Sequence, residues 1–190
     1  MWSPRLAFLL ITTVSLGRGM ATAQALQTDA VDNAFVQRQF GSNCSLVGEA
    51  TVADLDGDGV ADVVIPARCT SPMVDQGENN FAVVDPYYSF FGYGNPKITT
   101  QFASEDPKRR AFALLIIHGS GHEAWRSEAP KAKYLIVNLP YKSIRVKKMV
   151  LKKKEHMAIY IEETGGDQMT SVVFWDGKKY RYAPLGSSLE

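Results

Sequence analysis

Four aspartates fall within nine positions of the segment VADLDGDGVADVVI: Asp54, Asp56, Asp58 and Asp62. Two carboxylates about 5 Å apart repel by roughly 3 kcal/mol at an effective dielectric near 20, so such crowding calls for a countercharge. With Asp54 as position 1 of a loop, Asp56, Asp58 and Asp62 take positions 3, 5 and 9, while Gly59 takes 6 and Val60 takes 7. Alternate carboxylates then turn inward, the glycine permits a sharp bend, and the position-7 carbonyl adds an oxygen, which is the ligand logic of a calcium loop. Hard oxygen donors with no His or Cys among them favour calcium over zinc or copper. The competing reading is an acidic, solvent-exposed turn without metal.

An EF-hand needs an acidic residue at position 12, where this chain has Ile65, and DVVIP reads as strand rather than helix. Dockerin-type loops fail on the same residue. The pattern Asp-x-Asp-x-Asp-Gly-x-x-Asp followed by an apolar strand resembles the calcium hairpin of FG-GAP (VCBS-type) repeats, known from integrin β-propellers and many secreted bacterial proteins. That resemblance implies calcium held by Asp54, Asp56, Asp58, the Val60 carbonyl and Asp62, with the ion bracing a hairpin in an exported protein. The segment VVFWDGKKYRY is similar to the closing hairpin that follows such repeats. The match covers about 20 residues in one copy, whereas a propeller needs at least about four blades. If the strands close around the loop with Ala53 opposite Ala61, Cys44 faces Thr70, one residue from Cys69, and a single bulge corrects the offset.

LLIIHGSGHEAW is the other stretch with chemical potential. A strand running into His118-Gly119-Ser120-Gly121 resembles the His-Gly oxyanion segment of α/β-hydrolases, but the Gly-x-Ser-x-Gly elbow of that family is missing from the sequence. His118 and His122 are four apart, yet the Gly-Ser-Gly between them argues against the helix that would make a zinc pair. Glu162 and Glu163 adjoin each other on a strand end, so at most one points to each face. The competing class is therefore a secreted hydrolase using the His118–Glu123 region, with aromatic residues from Tyr87 to Tyr93 around its cleft. A third class is attachment to an anionic glycan or membrane surface through Lys142–Lys154, where seven Lys and Arg side chains cluster. The plainer reading of that run is an edge strand whose lysines discourage edge-to-edge pairing.

The start of the chain sets the compartment. A short basic start, the apolar run Leu6–Leu16 and small residues before Gln24 predict a signal peptide over 1–23 and one domain over 24–190. The apolar run is shorter than the roughly 20 residues that span a bilayer, and no later segment reads as transmembrane. The expected location is secreted or periplasmic, which argues for an envelope protein or anionic glycan as partner and against nucleic acid. Residues 24–106 carry 3 basic and 12 acidic side chains, and 107–190 carry 16 basic and 8 acidic. Such opposed halves attract each other, and a bound divalent cation would partly offset the acidic one. Cys44 and Cys69 are the only cysteines, an even count that predicts a disulfide in an exported chain, with two buried thiols as the alternative.

The elements that would position these residues read as β structure. TDAVDNAFVQRQFG predicts a helix capped by Thr28 or Asp29, presenting Val31, Ala34 and Phe35 on one face and ended by Gly41. Beyond it, short runs rich in Val, Ile, Tyr and Phe are punctuated by Gly, Pro, Asn and Asp. FALLIIH and YLIVNL are apolar throughout, as strands buried on both faces are. The expected class is mainly antiparallel β, blade-like or sandwich, with one N-terminal helix.

Overall fold

The computed structural model describes residues 31–92, 111–139, 141–151, 153–164 and 169–185. The leader expected over 1–23 and the two expected caps Thr28 and Asp29 lie outside them, as does Tyr93, the last of the aromatic residues expected around a cleft. The first helix, α1 (Asn33–Phe40), is capped instead by Asp32, whose Oδ1 accepts the Phe35 amide at 2.7 Å. It buries Phe35, Val36 and Phe40, while Ala34 is exposed: starting the helix at Asn33 sets the inward stripe from Phe35 onward. Gly41 ends it at φ 94°, and its amide donates to the Gln37 carbonyl at 2.9 Å. A Cβ at Gly41 would collide with the Asp75 side chain, so glycine is required there twice over.

In chain order there follow β1 (Cys44–Leu46), β2 (Thr51–Ala53), β3 (Asp62–Cys69), α2 (Gln76–Asn79), β4 (Ala82–Val84), α3 (Pro86–Phe90) and β5 (Phe112–His118). Then come β6 (Ala132–Ile136), β7 (Tyr141–Leu151), β8 (Lys154–Glu163), β9 (Met169–Trp175) and β10 (Tyr180–Pro184). One sheet has the order β1-β3-β5-β6-β4, with β2 also paired to β3, and the second has the order β10-β9-β8-β7. All pairs are antiparallel except β4 with β6. The mainly β architecture with a helix near the N-terminus is thus present, in sandwich form.

Two apolar layers flank the first sheet, which explains why its central strands lack polar alternation. From β5, Ala113, Leu115 and Ile117 pack under α1 with Val63, Ile65, Ala67 and Trp125. Leu114 and Ile116 point the other way, onto Ile159, Ile161, Val173, Tyr180 and Tyr182 of the second sheet. Burying one Leu or Ile in such a layer contributes about 1.5–3 kcal/mol, so the period-2 split holds both faces.

The hairpin register differs from the expected one. Ala53 pairs with Asp62 rather than Ala61, whereas Cys44 pairs directly with Cys69. Residues 47–50 between β1 and β2 absorb the difference, and within them the Val47 amide donates to the Pro66 carbonyl at 3.0 Å. The Cys44–Cys69 disulfide joins β1 to the end of β3.

Candidate metal centre

Three strand ends converge on the acid loop. Asp62 begins β3, Val63 pairs with Ile117 of β5, and His118 at the end of β5 pairs with Ala132 at the start of β6. The Lys131 amide donates to the His118 carbonyl at 3.0 Å, which seats Lys131 beside the same corner. Gly119 lies against the Ala61 carbonyl, where any Cβ would clash. This close approach lets its amide reach Asp62.

Within the loop, carboxylates capture backbone amides. Asp54 Oδ1 accepts the Gly57 amide at 2.8 Å and the Asp58 amide at 3.2 Å, and Asp54 Oδ2 accepts the Gly59 amide at 2.9 Å. Asp58 Oδ1 accepts the Val60 amide at 2.9 Å, and Asp56 Oδ1 accepts the Asp58 amide at 3.3 Å. Gly57 and Gly59 adopt φ of 76° and 87°, the left-handed region that a non-glycine residue enters at a cost. Asp54, Asp56 and Asp58 each offer an oxygen within 4.8 Å of the others, a spacing that could hold a metal ion.

Asp62 stands apart from that trio. It is buried, its Oδ2 accepts the Leu55 and Asp56 amides at 2.8 and 3.3 Å, and its Oδ1 accepts the Gly119 amide at 2.8 Å. Burial pushes its pKa up to about 6, the Asp56 charge adds to this, and the amide bonds oppose it. It groups with Asp56 and His118, whose ligand atoms likewise lie within 4.8 Å of one another. The ligand residues expected from sequence thus form two groups sharing Asp56. Val60 joins the loop network through its amide.

Two further residues complete the site, and no local pattern marks them. Lys131 places its Nζ 2.6 Å from Asp56 Oδ2 and 2.6 Å from Asp58 Oδ2. These bonds raise the lysine pKa and lower that of Asp58, for which the Lys131 bond is the largest cause. The His118 ring is buried among Tyr134, Trp175 and Tyr180, with Nε2 2.6 Å from the Tyr180 hydroxyl and Nδ1 3.4 Å from Asp56 Oδ2. Burial lowers its pKa against the pull of the Asp56 charge, so the imidazole is neutral near pH 7. With Lys131 in place, the Asp54–Asp56–Asp58 trio keeps an excess of two negative charges, which a divalent cation would offset.

The other candidate regions are arranged differently. Ser120 Oγ donates to the Ala129 carbonyl at 2.7 Å, Ser120 forms a bridge with Ala124, and His122 is exposed beside Glu123. A cavity of about 270 Å3 lies between α3 and β10, lined by Asp85, Ser89, Phe90 and Tyr182 among others. Neither His118 nor Ser120 is among its lining residues. Tyr87, Phe90 and Phe91 pack edge-on or tilted against Tyr182, so these aromatics cover the sandwich edge. Of the basic run, Lys142, Arg145, Lys147 and Lys148 lie on β7, an edge strand, and Lys154 begins β8, with Lys142 paired to Glu162 at 2.7 Å and Lys148 to Glu155 at 2.9 Å. Arg145 and Lys147 are exposed on β7. His156 lies on β8. Among the described residues, no helix is long and apolar enough to cross a membrane.

No protein-family model, curated protein or solved structure matches this chain.

Proposed function

We propose that this chain is an exported calcium-binding β domain of FG-GAP/VCBS-like type, with a binding or scaffolding role and a structural calcium. The observation that carries this reading is the inward-facing trio Asp54, Asp56 and Asp58, held within 4.8 Å on a loop bent at two positive-φ glycines. Oxygen donors of that kind suit a hard divalent cation. The loop links β2 to β3 and touches the start of β6 through Lys131, so an ion there braces strand ends rather than addressing a substrate. The Cys44–Cys69 disulfide fits an oxidising compartment, secreted or periplasmic.

Calcium titration by calorimetry tests the reading on the chain beside Asp56→Ala and Asp58→Ala, with thermal unfolding followed with and without chelator. The expected result is binding at up to about millimolar dissociation constants, lost in both variants and accompanied by stabilisation. Calcium at a hundredfold excess over its dissociation constant should stabilise by about 2.7 kcal/mol. Absence of binding together with an unchanged melting temperature would reduce DLDGDGVAD to an acidic turn.

A further inference from the structure

One face of the second sheet packs on the first, through Ile159, Ile161 and Val173 among others. The alternate residues of the same strands form the other face, where Ala158, Val172 and Ala183 make an apolar cluster with Tyr160 and Phe174. Ala158 and Val172 are buried there, whereas Tyr160 and Phe174 keep part of their rings in solvent. Register fixes which cations join this outer face, because cross-strand partners share a face. Arg145 pairs with Tyr160, Lys147 with Ala158, and Lys154 with Leu151, itself packed on the outer cluster. All three cations are exposed, and none makes an ion pair among the described residues. Glu162, the acid on this face, is held by Lys142 and Ser143, and Arg181 at the far edge is held by Asp176. Lys148 pairs with Met157 and points to the opposite face. The Tyr160 hydroxyl reaches the Lys148 carbonyl at 3.5 Å, so the ring leans over β7 toward Arg145 and Lys147.

We propose that the outer face of β7–β10 is a docking surface for an acidic polysaccharide, whose carboxylates meet Arg145, Lys147 and Lys154 and whose sugar rings lie on Tyr160 and Phe174. Charge complementarity selects an anion. The form of the surface then selects among anions. A membrane anchor carries apolar side chains that enter the acyl boundary, but here the apolar groups lie partly covered within a sheet face. A second copy docked face to face would bring the same three cations against themselves. A chain of sugar rings offers both what the cations need and flat apolar faces for the two aromatics. This gives the binding role an occupant and does not depend on the calcium reading.

The test is calorimetric titration of the full chain with polygalacturonate, beside neutral dextran and phosphatidylglycerol vesicles. The expected result is binding of polygalacturonate but not dextran, weakening steeply as salt is raised. Lys147→Gln should weaken it about fivefold, and Arg145→Gln with Lys147→Gln about 25-fold. Lys148→Gln makes the same charge change one residue along and on the other face, and should stay within about twofold of wild type. Tyr160→Leu keeps an apolar side chain, removes the ring, and should weaken binding at least about twofold. Equal losses in Lys147→Gln and Lys148→Gln would overturn the proposal by reducing it to net charge. So would absence of polygalacturonate binding, or tighter binding to the vesicles. Should Tyr160→Leu fail to fold, the two lysine variants still decide the face.

Discussion

His118 Nε2 lies 2.6 Å from the Tyr180 hydroxyl, which joins the last residue of β5 in one sheet to the first residue of β10 in the other. Both residues are buried, and Tyr134 and Trp175 wall the pair. Tyr180→Phe should cost about 1–2 kcal/mol by leaving an imidazole nitrogen without its partner. His118→Ala should cost about 3 kcal/mol or more, because it adds a cavity to the lost bond. Urea unfolding of both variants and the double variant measures the coupling. Strictly additive losses would mean that the bond contributes nothing of its own.

Asp62 ties the acid loop to the end of β5 through backbone amides. Its two oxygens accept three backbone amides, from Leu55, Asp56 and Gly119. Asp62→Ala should therefore destabilise even metal-free protein, by about 2–4 kcal/mol. Urea midpoints recorded in chelator isolate this effect. A loss under about 0.5 kcal/mol would show that water replaces the carboxylate without penalty.

Reducing the disulfide should be costly for a different reason. Cys44 and Cys69 are 25 residues apart, and closing such a loop restricts the unfolded chain by about 3–4 kcal/mol in the chain-entropy model. Cys44→Ser with Cys69→Ser should lower the melting temperature accordingly. Thermal scans of the oxidised, reduced and double-variant forms should place the last two together.

Asp176 sets an acid-side dependence. Burial pushes its carboxyl up, but the Arg181 guanidinium and the Lys179 and Lys178 amides outweigh this and hold it at about 2. The folded value lies below the ordinary 3.8, so the contribution is full above about pH 4 and is lost as pH falls toward about 2. Asp176→Asn should destabilise at about pH 5 and converge with wild type near pH 2. Urea midpoints at the two pH values check this. A constant gap across that window would assign the effect to the turn rather than to the charge.

Much of the fold is legible because its signals are local. Doubly apolar runs such as FALLIIH mark strands with two covered faces, and the Asp-Gly turn at Asp176 marks the last hairpin. The acid trio is legible for the same reason, since its spacing lies within one loop. Lys131 and His118 are not, because they reach the loop only through the β3-β5-β6 pairing, which no nearby spacing encodes. The same limit hid the parallel β4–β6 pair and the register shift at 47–50. Asp62 was legible as an acid of the loop, but not as a buried acceptor, because the Gly119 amide that helps define it comes from β5's far end. The short helix α3 follows from Asp85 accepting the Tyr88 amide at 2.9 Å with Pro86 at its first position, a local capping signal.

The disulfide has a mechanical consequence. A chain pulled from its two ends carries tension along the backbone to Cys44, then through sulfur to Cys69. Residues 45–68 form a slack bypass, and the whole acid loop lies within it. While the bond is intact, stretching can strip away other strands before any load reaches Asp54–Asp62 directly. Reduction puts that segment back in line with the force.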